Sequence, residues 1–188
     1  MTNYFRNVLP TLTLLWGGMC AVLSMVAFFV LPLLFRADFL GAIQPLWILM
    51  SSSVFIIPVA LGYSALSNAS SATYIPMFAA IVSAITNVTA NLLLIPRYGL
   101  IGCAWATLLA YSVNGLIYGF LLKRSSRIES SWLLFAPLPS LAGAIVLSFI
   151  NNPWIALLVC ISLTVCVGGI FWNSLKFSFA FVAVFRKS

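Results

Sequence analysis

Apolar residues in this chain come in runs longer than a soluble core helix needs, and the polar breaks between them are short. A helix crossing a bilayer takes about 20 apolar residues. By that measure the pattern predicts six spans: Leu9 to Leu34, Ala42 to Leu66, Ala72 to Ile95, Leu100 to Leu122, Trp132 to Ile150 and Pro153 to Trp172. A tail, residues 173–188, follows. Its stretch LKFSFAFVAVFRKS sets phenylalanines against a few basic groups, and two readings stay open. It is an amphipathic segment lying in the membrane interface, or a helical extension of the sixth span. The expected fold is all-α, a single polytopic membrane helix bundle.

The breaks have physical causes. Arg36 and Asp38 are costly at a bilayer centre and mark a surface loop. Asn68-Ala-Ser-Ser reads as a small polar turn. Pro96 removes a backbone donor, and Gly99 permits a tight reversal. Lys123, Arg124, Arg127 and Glu129 form the one strongly charged loop. Asn151-Asn152-Pro153 is a turn whose proline suits a helix start. Trp132, Trp154 and Trp172 fall at expected span ends, where aromatic belts belong. Pro45, Pro58 and Pro76 are expected kink points. Gly17-Gly18 and Gly168-Gly169 are packing sites or bends.

Composition agrees with the pattern. Of 188 residues, 63% are hydrophobic and 6% charged, against about 25% charged in a soluble domain. Such a chain cannot cover a surface facing water. It has no histidine, and its two acids are Asp38 and Glu129. That leaves almost no general acid, general base or metal ligand, so no catalytic residue, metal or cofactor is expected. The formal charge of +7 reads as basic cytoplasmic loops rather than as a nucleic-acid surface. The four cysteines, Cys20, Cys103, Cys160 and Cys166, lie in apolar runs without metal-type spacing and read as apolar filler. The uncharged run from Asn7 to Phe35 exceeds the about 7–15 residues of a signal-peptide core, so a span, not a cleaved leader, is expected at the start.

With the N-terminus inside, six crossings return the C-terminus inside. Arg6, Lys123, Arg124, Arg127, Lys176, Arg186 and Lys187 are then inside, and Arg36 and Arg97 outside, a bias of seven to two in the direction of the positive-inside rule.

Asn87 and Asn91 are four apart and share a helix face with Ser83. A lipid-exposed amide is costly, so this stripe is expected to meet protein or a watery cavity. Interhelical hydrogen bonding is the simpler reading, and a polar patch on a translocation path is the functional one. Gly102, Ala106 and Ala110 recur every four residues, as do Gly115 and Gly119, a spacing that lets helix backbones approach closely. Arg97 is expected to snorkel as an interface anchor or to meet an anionic head group at the outer mouth. Asn87-Val-Thr and Asn68-Ala-Ser match glycosylation sequons but fall in a span and on the expected inner side, so both read as chance.

The stretch NVTANLLLIPRYGLIGCAWAT holds Asn87, Asn91, Pro96-Arg97-Tyr98-Gly99, Gly102 and Ala106-Thr107. It is similar to a recurrent helix pair of the O-antigen and capsule flippases in the multidrug/oligosaccharidyl-lipid/polysaccharide superfamily. LGYSALSNASSATYIPMFAA resembles the helix and short inner loop before that pair, and LPLLFRADFLGAIQPLWIL the family's stretch with a small outer loop. The resemblance covers about Arg6 to Lys123; the last two spans are generic. It implies a multi-pass protein of the bacterial cytoplasmic membrane that moves a lipid-linked oligosaccharide between leaflets. It also implies two bundles of six helices around a cavity, and this chain has one. The expected partners are therefore the bilayer, the lipid-linked oligosaccharide and either a missing N-terminal half or a second copy. Asn87, Asn91, Tyr111 and Asn114 are the candidates for sugar contacts. Arg97 and Arg36 are those for a diphosphate, which arginine suits.

Other classes fit less well. A cation-coupled drug exporter of the same superfamily favours intramembrane acids, and no predicted span has one in its interior. A membrane enzyme lacks the chemistry. A noncatalytic assembly subunit is compatible with the length.

Overall fold

The first apolar run forms α1, Leu9–Phe35, preceded by a π-helical turn, Tyr4–Val8. At 1.5 Å per residue a helix of 27 residues is about 40 Å long, enough to cross a bilayer. A short 3-10 segment, Ala37–Ala42, leads into α2, Ile43–Ala69. The third run folds into one long helical element, Tyr74–Ser126, broken only at Gly99. Its arms are called α3 (residues 74–98) and α4 (100–126). Helix α5 is Pro153–Ile170. This computed structural model describes residues 4–35, 37–69, 71–126, 142, 145–146 and 153–170, and all its regular elements are helices.

Three helices among the described residues are long and apolar enough to cross a membrane: Leu9–Phe35, Ile43–Ala69 and Tyr74–Leu121. The expected fifth span, 132–150, lies almost wholly outside the described residues, as does the tail from 173 to 188. The outer surface is that of a protein solvated by something apolar. Leu33 is 84% exposed, Leu100 72% and Leu92 71%, and a soluble monomer does not carry so much contiguous apolar surface.

Helix α2 is the centre of the assembly. Its Ile48 packs with Ala104 and Leu108 of α4. Its Trp47 packs with Ala21 and Met25 of α1 and with Cys160 of α5. At its far end, Val59, Tyr63 and Leu66 join Phe5, Leu9, Ile75, Ala79 and Tyr118 in a third cluster. The N-terminal turn, the end of α2, the start of α3 and the end of α4 therefore meet at one end of the bundle. The Gly99 reversal lies toward the other.

The prolines act differently from one another. Pro45 and Pro76 sit in the first turns of their helices, where the backbone N–H has no intrahelical partner to lose. Neither is a kink. Pro58 lies inside α2, and a π turn, Val59–Tyr63, follows it directly. Pro96 does not end α3: the chain stays helical through Tyr98, and the break is at Gly99, with φ 55 and ψ −130. That pair of angles resembles the first central position of a type II′ turn, which glycine occupies without steric cost. The turn before α3 uses Ser71, with φ 57. Its backbone N–H donates to the Asn68 carbonyl at 3.3 Å, and that of Ala72 donates to Ser67 at 2.9 Å. Gly17 faces α2, where a Cβ would lie 3.7 Å from Val54, so it is a packing site.

Candidate functional site

The reversal at Gly99 folds α3 and α4 into an antiparallel hairpin. The Ser83 hydroxyl donates to the Ala110 carbonyl at 2.9 Å. In a straight helix those residues would stand about 40 Å apart. Near the tip, a Cβ added to Gly102 would overlap the Leu94 carbonyl. Every side chain except hydrogen is excluded there. Ala106 and Ala110 are 0% and 2% exposed, and Gly115 and Gly119 are also buried. Gly102 stands level with Leu94 and Ile95 and Ala110 with Ser83, and Asn87 and Asn91 fall between these two contacts. The amide stripe and the small-residue stripe thus run along the same stretch of the hairpin.

The amides first satisfy each other. Asn91 Nδ2 donates to Asn87 Oδ1 at 2.7 Å, and both side chains are half-buried. Asn91 Oδ1 is buried and has no hydrogen-bond partner, and the same holds for Asn114 Oδ1. A buried unpaired acceptor costs about 1–3 kcal/mol. The neighbouring hydroxyls turn back on their own helices. Thr86 donates to Val82, Thr107 to Cys103 and Ser112 to Leu108, at 2.8, 3.1 and 2.7 Å. Asn91 also borders a shallow cleft of about 330 Å³, with Val88, Leu92, Ile95 and Pro96. Because Pro96 has no N–H, the Leu92 carbonyl lacks its usual i+4 donor.

Arg97 and Tyr98 are exposed beside the hairpin turn. Tyr111 is half-buried on α4. Arg97 is two residues before the Gly99 reversal and Asn114 is 15 after it, so the candidates spread over about 20 Å of hairpin length. Among the described candidates, a hydrogen bond joins Asn87 and Asn91 alone. Arg36 lies outside the described residues.

A second polar constellation has no counterpart in the sequence reading. Trp16 Nε1 donates to Ser53 Oγ at 2.9 Å, and Cys20 Sγ lies 3.4 Å from the same oxygen. Ser53 itself donates to the Met50 carbonyl at 2.7 Å. A hydroxyl has one proton and two acceptor sites, so the Cys20 thiol is the donor in its pair. Ser51-Ser52-Ser53 within an apolar span was the signal for this cluster. Trp47 Nε1, also buried, has no hydrogen-bond partner. No group of three or more potential metal-ligating side chains occurs among the described residues.

Compared with known protein families, curated proteins and solved structures, the chain matches none. The hairpin offers paired amides and unpaired buried acceptors between apolar helices. That is chemistry for hydrogen-bonding polar groups between apolar helices.

Proposed function

We propose that the chain is part of a transporter that flips a lipid-linked oligosaccharide, an O-antigen or capsule repeat unit, across the bacterial cytoplasmic membrane. In this reading both termini are cytoplasmic, and the chain works with an N-terminal half. The observation that carries the proposal is the α3–α4 hairpin, whose Asn87–Asn91 pair keeps a buried amide oxygen unpartnered. The resemblance of residues 87–107 to a flippase helix pair supplies the substrate class.

The physical task is to take sugar hydroxyls and a diphosphate past hydrocarbon, which alone costs several kcal/mol or more per charge. Amides donate to and accept from hydroxyls, so Asn87, Asn91 and Asn114 suit the sugar. Arg97 suits the diphosphate at the outer mouth, while the lipid tail stays in the bilayer. Two bundles rocking against each other would open this surface to one side and then the other.

The test is complementation in a strain lacking its flippase, read out as surface polysaccharide. Restoration is expected when the chain is co-expressed with an N-terminal half. Restoration by the chain alone would overturn the need for that half. No restoration with both halves present in the membrane would overturn the flipping role.

A further inference from the structure

Two π turns meet at one end of the bundle. One is the N-terminal turn Tyr4–Val8, and the other is Val59–Tyr63 within α2. The second arises at Pro58. Without an N–H there, the Val54 carbonyl loses its helical donor. The Val59 N–H bonds back to Ile56, and the Ser64 N–H reaches Val59, five residues behind it. A π turn holds one residue more than the α-helix would, and such turns are often found at functional sites.

The N-terminal turn is fitted to this irregularity. The Tyr4 hydroxyl donates to the Leu61 carbonyl, inside the π turn, at 3.0 Å. The Phe5 ring stacks on Tyr63 at 5.8 Å and 7°. Gly62 leaves open the space they need: a Cβ there would stand 2.8 Å from Leu9 Cδ2 and 3.0 Å from Phe5 Cε1. Phe5, Leu9 and Tyr63 are 4%, 0% and 0% exposed. The contacts thus fall on the carbonyl, the bare glycine and the ring that the π turn presents.

We propose that the N-terminal turn is a latch that holds α2 in its π-turned form. Released, the surplus residue is taken up, and the short segment Ser64–Ala69 turns by about 100° and advances along the helix axis by about 1.5 Å. Each residue then takes the place of the next. Ala65, now exposed, moves into the buried position of Leu66. Ser67, 0% exposed, moves to the exposed position of Asn68. The connection to α3, and with it the amide-bearing hairpin, follows this segment directly.

The test is thiol labelling of the full chain in detergent, with Cys103→Ala and Cys166→Ala in the background. The buried Cys20 and Cys160 are kept as reporters of general loosening. Ala65→Cys or Ser67→Cys is then introduced. With the latch intact, position 65 labels fast and position 67 slowly. In the Tyr4→Phe, Gly62→Val double variant the order is expected to reverse while Cys20 and Cys160 stay protected. An unchanged order overturns the latch, and so does a rise at both positions together. Where the double variant is not recovered folded, Tyr4→Phe alone decides. It removes one hydrogen bond and is expected to shift the 67-to-65 labelling ratio about two- to tenfold. No shift overturns the proposal.

Discussion

Helix α2 and the α3–α4 hairpin both carry polar side chains through apolar surroundings, and they treat them in opposite ways. In α2, Ser51, Ser52 and Ser67 donate to carbonyls of their own helix at 2.9, 2.6 and 3.0 Å. Ser53 does so too, and also accepts from Trp16. In the hairpin, Asn87 and Asn91 bond each other, and an oxygen remains over. A hydroxyl is short and has one proton, so the nearest carbonyl satisfies it. An amide has two donors and two acceptor sites, more than one helix face can match. The serine protons of α2 are therefore used locally, while asparagines with an acceptor to spare point beyond their own helix.

The largest effect that would break this contrast is at the hairpin seam. Gly102→Val places a side chain on the Leu94 carbonyl. Overpacking usually costs about 1–3 kcal/mol, and here the obstacle is backbone. The expected result is loss of about 3 kcal/mol in detergent unfolding, with separation of α3 from α4 seen as lost cross-linking between cysteines at 83 and 110. Retained cross-linking with unchanged stability would show that the seam is not closed as described.

A smaller effect sharpens the α2 side. Ser53→Ala removes the acceptor of Trp16 and Cys20. Interhelical hydrogen bonds in membranes average about 0.6 kcal/mol, so a loss of about 1 kcal/mol is expected, with a change in Trp16 fluorescence. Ser52→Ala, whose bond is local, should be silent in both measurements. Equal losses from the two would erase the distinction between local and interhelical hydroxyls.

The smallest effect on stability is expected at the amides. Asn87→Leu with Asn91→Leu removes a bond and an unpaired oxygen together, and such paired replacements are near neutral. Stability should change by less than about 1 kcal/mol, while polysaccharide export in the complementation assay should fall. A large loss of stability with full export would make the pair a folding element alone.

Much of this architecture can be read from the residues, because in lipid hydropathy and helix length are tightly linked. The first apolar run predicts a helix ending at Leu34, and α1 ends at Phe35. Pro-Arg-Tyr-Gly marks the reversal within a few residues, although glycine makes the turn and proline does not. The π turn is not legible in this way. Proline announces a missing bond, but how the freed carbonyls are resolved depends on what packs beside them, here Tyr4 and Phe5. The Asn87–Asn91 face follows from helical spacing, but their bond to each other does not. Spacing of four brings two amides within reach and leaves open whether they turn to one another or across to α4. The Trp16–Ser53 contact joins residues 37 apart, a pairing no local pattern encodes.

The one-residue turn at Gly99 also bears on how the chain enters a bilayer. Contacts across a hairpin close early, since little chain must be ordered to form them. Inserted one at a time, α3 would present Asn87 and Asn91 to hydrocarbon with nothing on their open side. Inserted as a pair, the two arms bring the α4 glycine and alanines against that face before it meets acyl chains. In a bilayer, the tightness of the reversal would favour the hairpin, rather than the single helix, as the unit that inserts.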